Sequence, residues 1–381
     1  MDKAEPTHHT DFQPTYHQEP PVEENKLFIA VVGLEHGHIY NMCNGLKEAG
    51  AKIRWVWDED SEKIKDFQQT FPEVSAAQSF SQILEDETVQ MVASAAIPSQ
   101  RCEVGLQTMD TGKHYFSAKA PFTTTEQLRA AEQKVKETGL LWAVFYSERL
   151  QVECAGFAEQ LIQKGAIGDV VQVLGLGPHR LNIEKRPDWF FRKENYGGII
   201  CDIGSHQIEQ FLWFADANDA KVIGSTAINM AHPKYPEFED YGDAHLVADN
   251  GAVHYFRVDW FTPDGLSNWG DGRTIILGTD GYIELRKFVD ITKDDEGEQL
   301  YLVNHGGERR YNVKGKLGYP YFYRLANDVL KNTSYAMPQK HVFKAAEICL
   351  RAQEQAFSYQ RKGDAIYGKM RNPHSRNSRL W

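Results

Sequence analysis

No stretch of the chain approaches the roughly 18 consecutive apolar residues that a membrane-spanning helix requires. The N-terminal run MDKAEPTHHTDFQPTYHQEPPVEENK also lacks the apolar centre of a secretory leader. Cysteine is scarce: Cys43, Cys102, Cys154, Cys201 and Cys349 are odd in number, widely spaced and free of any CxxC pair. That pattern indicates neither a disulfide framework nor a thiolate zinc site, and it points to the reducing cytosol. Basic residues are in deficit, 42 Lys and Arg against 53 Asp and Glu, for a formal net charge of -11. An acidic surface attracts neither nucleic acid nor an anionic membrane. Together these absences predict a soluble, cytoplasmic protein whose partner is a small neutral molecule.

What is present suffices for a sizeable core, since 41% of the 381 residues are hydrophobic, and the length suits two domains. Residues 1–25 are rich in Pro, His, Glu and Gln and poor in aliphatics, so they cannot offset the entropy of their own ordering. They read as a disordered tail, or as an arm that docks elsewhere, for instance across a subunit interface. His8, His9 and His17 in that arm are irregularly spaced and read as solvated residues, so no metal site is expected. From Leu27, the strand-like runs LFIAVVG, KIRWVWD, VQMVASAAIP, HYFSAK and LWAVFYS alternate with helical stretches. Such alternation predicts a dinucleotide-binding type of α/β domain over 26–148, with a parallel sheet covered on both faces. Over 149–381 the texture changes. A helix near Cys154, the strand VVQVLGLG and a helix after Gly197 and Gly198 precede period-two segments running from KVIGSTAINM to QLYLVNH. These predict an α+β domain built on an open, mostly antiparallel meander. The chain closes with the helical HVFKAAEICLRAQEQAFSYQ and a basic tail.

Gly33 ends the first strand and Gly37 heads the next helix, where backbone N–H groups and the helix dipole can hold a pyrophosphate. A full G-x-G-x-x-G would place glycine where this chain has Glu35 and His38, so Glu35 must turn from the phosphates or meet another group. A plain strand-to-helix turn has the same appearance. Asp58 closes the second strand about 25 residues after Gly33, where an acidic residue accepts the adenosine ribose hydroxyls and repels a 2′-phosphate, which favours NAD over NADP. Asp58 would serve equally well as a helix cap. Ala96 and Pro98 end the third long strand in a small-residue edge suited to a flat cofactor.

Lys119 ends HYFSAK, at the sheet edge where open α/β folds bind ligands, although a lone lysine is most often a solvated surface charge. Asp202 and His206, four residues apart on a predicted helix, emerge on one face and can meet one ligand. A capping aspartate and a core histidine are the plainer interpretation. Here the motifs become specific. GKHYFSAKAPF resembles the G-K-H-V-x-x-E-K-P segment of the Gfo/Idh/MocA oxidoreductases, and GGIICDIGSHQIEQFLWF resembles their G-G-G-x-x-x-D-x-G-x-H-x-x-D segment. Further similarity at LIQKGAIGDVVQV, at IILGTDGYIEL and in the closing helix extends the likeness over about residues 27–360.

The resemblance implies a Rossmann domain, a second domain whose open sheet packs in homo-oligomers, and a nicotinamide cofactor held around Gly33, Glu35, His36, Gly37, His38, Asp58, Ala96, Pro98 and Lys119. It also implies that Lys119, Asp202 and His206 are catalytic. Two departures stand out: Ala118 replaces the acidic residue before the lysine, and Pro121 falls one position late, which leaves the lysine's charge partner open. On this reading His206 takes the proton of a secondary hydroxyl, Asp202 positions the sugar or the imidazole, and Lys119 stabilises the developing alkoxide while hydride passes to the nicotinamide. Trp189 and Trp269 are the expected substrate wall, with His179, Arg180 and Asp264 as hydroxyl partners. The chain resembles bacterial members that oxidise glycosides, C-glycosides among them, at C3. NAD-using glycosidases, which oxidise and then eliminate, are the neighbouring alternative. A non-catalytic NAD or sugar sensor is the alternative of another class, and the complete Lys, Asp and His set argues against it.

Overall fold

The protein is described by a computed structural model covering residues 12–16, 19–292 and 296–360. Near-continuous apolar runs mark strands buried on both faces, and such runs form the centre of the first, six-stranded sheet. Its strands are β1 (Phe28–Val32), β2 (Lys52–Trp57), β3 (Ser75–Ala76), β4 (Met91–Ser94), β5 (His114–Ala118) and β6 (Trp142–Phe145). All pair in parallel, in the order β3-β2-β1-β4-β5-β6. β4, β5 and β6 are buried at every residue. The crossover helices include His38–Glu48, Ser61–Thr70, Pro98–Asp110 and Thr125–Thr138. The strand order reverses between β1 and β4, the place where a Rossmann sheet opens a crevice beyond its carboxyl edge.

The second sheet has nine strands: β7 (Val170–Pro178), β8 (Ala220–Asn229), β9 (Tyr241–Ala248), β10 (Val253–Asp259), β11 (Arg273–Gly278), β12 (Gly281–Arg286), β13 (Gln299–Asn304), β14 (Gly307–Asn312) and β15 (Phe357–Gln360). Their order is β14-β13-β12-β11-β7-β10-β9-β8-β15. The sheet is open and mostly antiparallel as predicted, but it is not one meander. Two antiparallel runs, β8 to β10 and β11 to β14, flank β7, and β7 pairs with β10 in parallel. The predicted closing helix also stops early. It spans Gln339–Glu354, and Phe357–Gln360 becomes an edge strand parallel to β8, because its aromatic, alternating FSYQ fits a sheet edge.

One face of this sheet packs on the helix Ser205–Phe214. A Cβ on Gly175 of β7 would stand 2.3 Å from Oε1 of Gln207, so the glycine leaves room for that side chain between strand and helix. The other face leaves Tyr255, Leu277 and Tyr282 exposed. The described part of the N-terminal arm lies on its own chain. Phe12 is buried, Thr15 and Gln160 exchange hydrogen bonds of 3.1 and 2.9 Å, and Glu19 pairs with Arg324 at 3.2 Å. His8, His9 and His17, and the tail after residue 360, lie outside the described residues.

Candidate active site

Lys119 stands one residue past β5, at the carboxyl edge of the parallel sheet, and is only 4% exposed. The charge partner left open by Ala118 is Asp202: Lys119 Nζ donates to Asp202 Oδ1 at 2.6 Å. Burial works to raise the Asp202 carboxyl, but the charge and hydrogen bond of Lys119, helped by His36 and His179, outweigh it and hold it below the usual range.

Asp202 and His206 are brought together by an irregular helix. Ile200–Gly204 is a π turn that runs into the α-helix Ser205–Phe214, and such turns recur at functional sites. Its start requires glycine. Gly198 has φ +94° and a Cβ there would collide with Gln353, whose Oε1 accepts from Ile200 N at 2.9 Å. His206 is 2% exposed, and its Nδ1 is enclosed without a hydrogen-bond partner among the described residues. Burial first, then the positive charge of Lys119, holds the imidazole well below its ordinary pKa, so it is neutral at pH 7.

Sequence reasoning missed Arg101, which is 1% exposed on the helix Pro98–Asp110. Its Nε donates to the Ala96 carbonyl at 2.7 Å, and its Nη1 reaches the carbonyls of Ala118 at 3.4 Å, Lys119, and Ala120 at 3.0 Å. One guanidinium thus gathers the ends of two neighbouring strands under the lysine. The Lys119–Ala120 peptide is cis.

A cavity of about 470 Å³ opens between the two sheets. Lys119, Asp202 and His206 line it together with Glu35, His36, Gly37, His38 and Pro98 on one wall and His179, Arg180, Trp189 and Trp269 on the other. Glu35 does turn aside: it forms an ion pair with Lys63 and accepts from Trp189 Nε1 at 3.0 Å, which ties the first domain's loop to the second domain. His36 and His38 are both held well below ordinary imidazole pKa values, chiefly by burial. His38 Nε2 lies 3.2 Å from Ser147 Oγ. His179 is packed against Trp269, ring centroids 4.5 Å apart, and its pKa falls to about 4 through burial.

Four predicted residues lie off the cavity. Gly33 (φ +78°) packs so closely on Ala96 that a Cβ would stand 2.6 Å from the alanine Cβ, so the turn after β1 requires glycine. Asp58 is not the helix cap, because that role belongs to Asp60, which accepts from Glu62 N. Asp58 instead accepts from Leu34 N at 2.7 Å and Asp60 N at 2.9 Å, holding the glycine loop from behind. Asp264 is a correction: its carboxylate is 99% exposed and 3.6 Å from Arg180 Nε, outside the cavity lining. Arg180 spends its Nη2 on the carbonyls of Pro263, Leu266 and Asn268, pinning the loop that carries Trp269.

Further lining residues had no place in the sequence reading. Ser147, Glu148 and Gln151 follow β6 at the same carboxyl edge as Lys119. The strand-end rule that selected Lys119 would have selected them too. Among the described residues there is no cluster of three or more metal-ligating side chains.

Fold and cavity are those of a Rossmann domain joined to a mixed-sheet domain, with the crevice of a dinucleotide-binding fold at the cavity's first wall. The chain belongs to the Gfo/Idh/MocA oxidoreductases: residues 27–146 match the family's NAD-binding Rossmann fold, and residues 157–284 match a GFO/IDH/MocA C-terminal domain. It is similar to a crystal structure from Erwinia carotovora atroseptica SCRI1043, described no further than as an oxidoreductase, at 49% identity and TM-score 0.85 over 87% of this chain and 99% of that one. It is 25% identical to the scyllo-inositol 2-dehydrogenase (NAD(+)) of Bacillus subtilis over 68% of this chain and 74% of that enzyme. Levoglucosan dehydrogenase, solved with NADH and levoglucosan, shares the fold at TM-score 0.73 and 16% identity over 87% of this chain and 97% of that one. The matched family model describes an oxidoreductase with an NAD-binding Rossmann fold. The residues present fit that cofactor: on the cavity wall at the head of the helix His38–Glu48, His38 Nδ1 is an enclosed polar atom without a hydrogen-bond partner among the described residues.

Proposed function

We propose that the enzyme oxidises a secondary ring hydroxyl of a sugar, cyclic polyol or glycoside to the ketone, with Lys119, Asp202 and His206 as catalytic residues. The observation that carries this reading is the buried Lys119–Asp202 pair beside a neutral His206 in one cavity at the sheet's carboxyl edge. NAD, when bound, supplies the hydride acceptor; His36, Gly37, His38, Pro98 and Lys119 would hold it, with Gly33, Asp58 and Ala96 shaping the loop and strand ends behind them. His206, being neutral, accepts the hydroxyl proton. Lys119 spends one of its donors on Asp202 and keeps two for the substrate oxygen, whose negative charge grows as the O–H and C–H bonds break. Asp202 therefore positions the ammonium rather than the imidazole. Trp189 and Trp269 supply apolar faces for the ring, and the C3 hydroxyl of a glycoside is the first position to test.

The experiment is incubation of the full chain with NAD and scyllo-inositol, D-xylose, levoglucosan, D-glucose and an aryl glucoside, with NADH absorbance and product mass as readouts. A product two hydrogens lighter, lost in His206→Ala by about 100-fold or more in kcat while NADH still binds, is the expected result. Release of an aglycone without net NADH would replace simple oxidation by oxidation and elimination. No product from any of them would overturn the reading.

A further inference from the structure

One lining residue of the cavity belongs to a second buried ion pair that the proposed chemistry does not use. Glu148, 2% exposed, follows β6 and lines the cavity. Its Oε2 accepts from Lys287 Nζ at 3.0 Å and from Gln207 Nε2 at 2.9 Å. Its Oε1 is enclosed and has no hydrogen-bond partner among the described residues. Lys287 follows β12 and has a fully buried side chain. Gln207 is the neighbour of His206, so the carboxylate is anchored to the helix that carries the proposed base.

A buried acceptor left unpaired is costly, and folds seldom keep one without a use. We propose that Glu148 is a specificity-determining residue: its Oε1 receives a hydroxyl of the bound sugar or polyol away from the carbon being oxidised, and it turns away substrates that present a carboxylate there. This inference rests on the proposed oxidation and deepens it. The chemistry fits an acceptor rather than a base. Burial tends to raise the Glu148 carboxyl, but the charge of Lys287, then that of His179, and the two hydrogen bonds more than offset it and hold it below the ordinary range. A carboxylate so stabilised accepts hydrogen bonds well and abstracts protons from carbon poorly. Lys287 also cancels its charge, so this wall selects a neutral donor rather than gathering cations.

Glu148→Gln alone would strand the Lys287 ammonium in the interior and endanger the fold, so it is paired with the double variant Glu148→Gln/Lys287→Met, which removes both charges. The probes are D-glucose, methyl β-D-glucoside and scyllo-inositol against D-glucuronate, measured by NADH formation and by binding to the NADH-loaded full chain. In the wild type D-glucuronate is expected to be weaker than the neutral probes by about tenfold or more. In the double variant KM for the neutral probes should rise about 10- to 100-fold and discrimination against D-glucuronate should shrink, with kcat within about threefold and NADH affinity unchanged. An unchanged KM in a folded double variant, or a fall in kcat at constant KM, overturns the role while leaving the oxidation in place. A wild type that neither binds nor oxidises any neutral probe overturns both.

Discussion

The two walls of the cavity are built on opposite principles. The wall from the parallel sheet is fixed by its own backbone: Arg101 binds carbonyls from Ala96 to Ala120, and Asp58 binds the N–H groups of Leu34 and Asp60. The wall from the second domain is fixed by side chains, through the tilted contact of His179 with Trp269 and the hydrogen bond of Gln207 to Glu148, which follows β6 of the first domain. A backbone-built wall changes little with side-chain replacement and suits a constant dinucleotide. A wall built of side chains changes with single substitutions and suits a substrate that differs among relatives. Glu148–Lys287 is one ion pair between the two domains, and Lys119–Asp202 joins a residue of the first wall to one of the second at the proposed reaction centre.

Breaking that joint should have the largest effect. Lys119→Met leaves Asp202 as a buried, uncompensated carboxylate, and loss of one partner of a buried pair costs about 3–5 kcal/mol. Denaturant midpoints should fall accordingly, and turnover should be lost. The double variant Lys119→Met/Asp202→Asn should regain most of the stability and none of the turnover. If the double variant is active, the pair only braces the walls; if the single variant is fully stable, the walls do not depend on it.

Acid should loosen both walls together. His36 and His38 on the first wall and His206 on the second are held well below ordinary values, and His179, with the core residues His114 and His254, lies at about 4, all with burial as the leading cause. A depressed histidine pKa means that the unfolded chain binds the proton first. Stability is therefore complete above about pH 6.5 and declines as the pH falls towards the folded-state values. Each such histidine withdraws about 1.4 kcal/mol per pH unit in that window, so the three at about 4 together withdraw roughly 4 kcal/mol per unit. Thermal melts at pH 7.5 and pH 5 should differ widely, and nearly equal midpoints would show that these imidazoles are solvated.

Legibility in the sequence follows the same division. The parallel sheet was readable because strands buried on both faces leave unbroken apolar runs such as FIAVV, and its carboxyl edge then located Lys119. Asp202 and His206 were readable because helical spacing and the motif agreed, although the π turn beneath them left no sequence signal. The parallel β7–β10 pairing was not readable, because alternation reports which face is buried and not which strand is the neighbour. Arg101 and Lys287 were invisible for a related reason: what keeps a buried cation is its partners, and those lie 5 and 17 to 19 residues away for Arg101 and 139 away for Lys287. Asp264 was misplaced because a loop aspartate near two tryptophans carries no information about which way the loop faces.

The mildest perturbation tests whether the two walls communicate. Trp189 belongs to the second domain, yet its Nε1 donates at 3.0 Å to Glu35, the carboxylate of the cofactor loop, which Lys63 already neutralises. Trp189→Phe keeps an aromatic face for the substrate and deletes only the donor. Glu35 retains Lys63, so the loss should be that of an ordinary net hydrogen bond, about 0.5–1.5 kcal/mol, or two- to tenfold in affinity. If the indole holds the loop in its dinucleotide-binding shape, that factor appears in NADH affinity while the KM of the sugar stays near the wild-type value. The reverse pattern would make Trp189 a substrate wall alone, and the walls would then be joined through Lys119–Asp202 and through Glu148 with Lys287 and Gln207 instead.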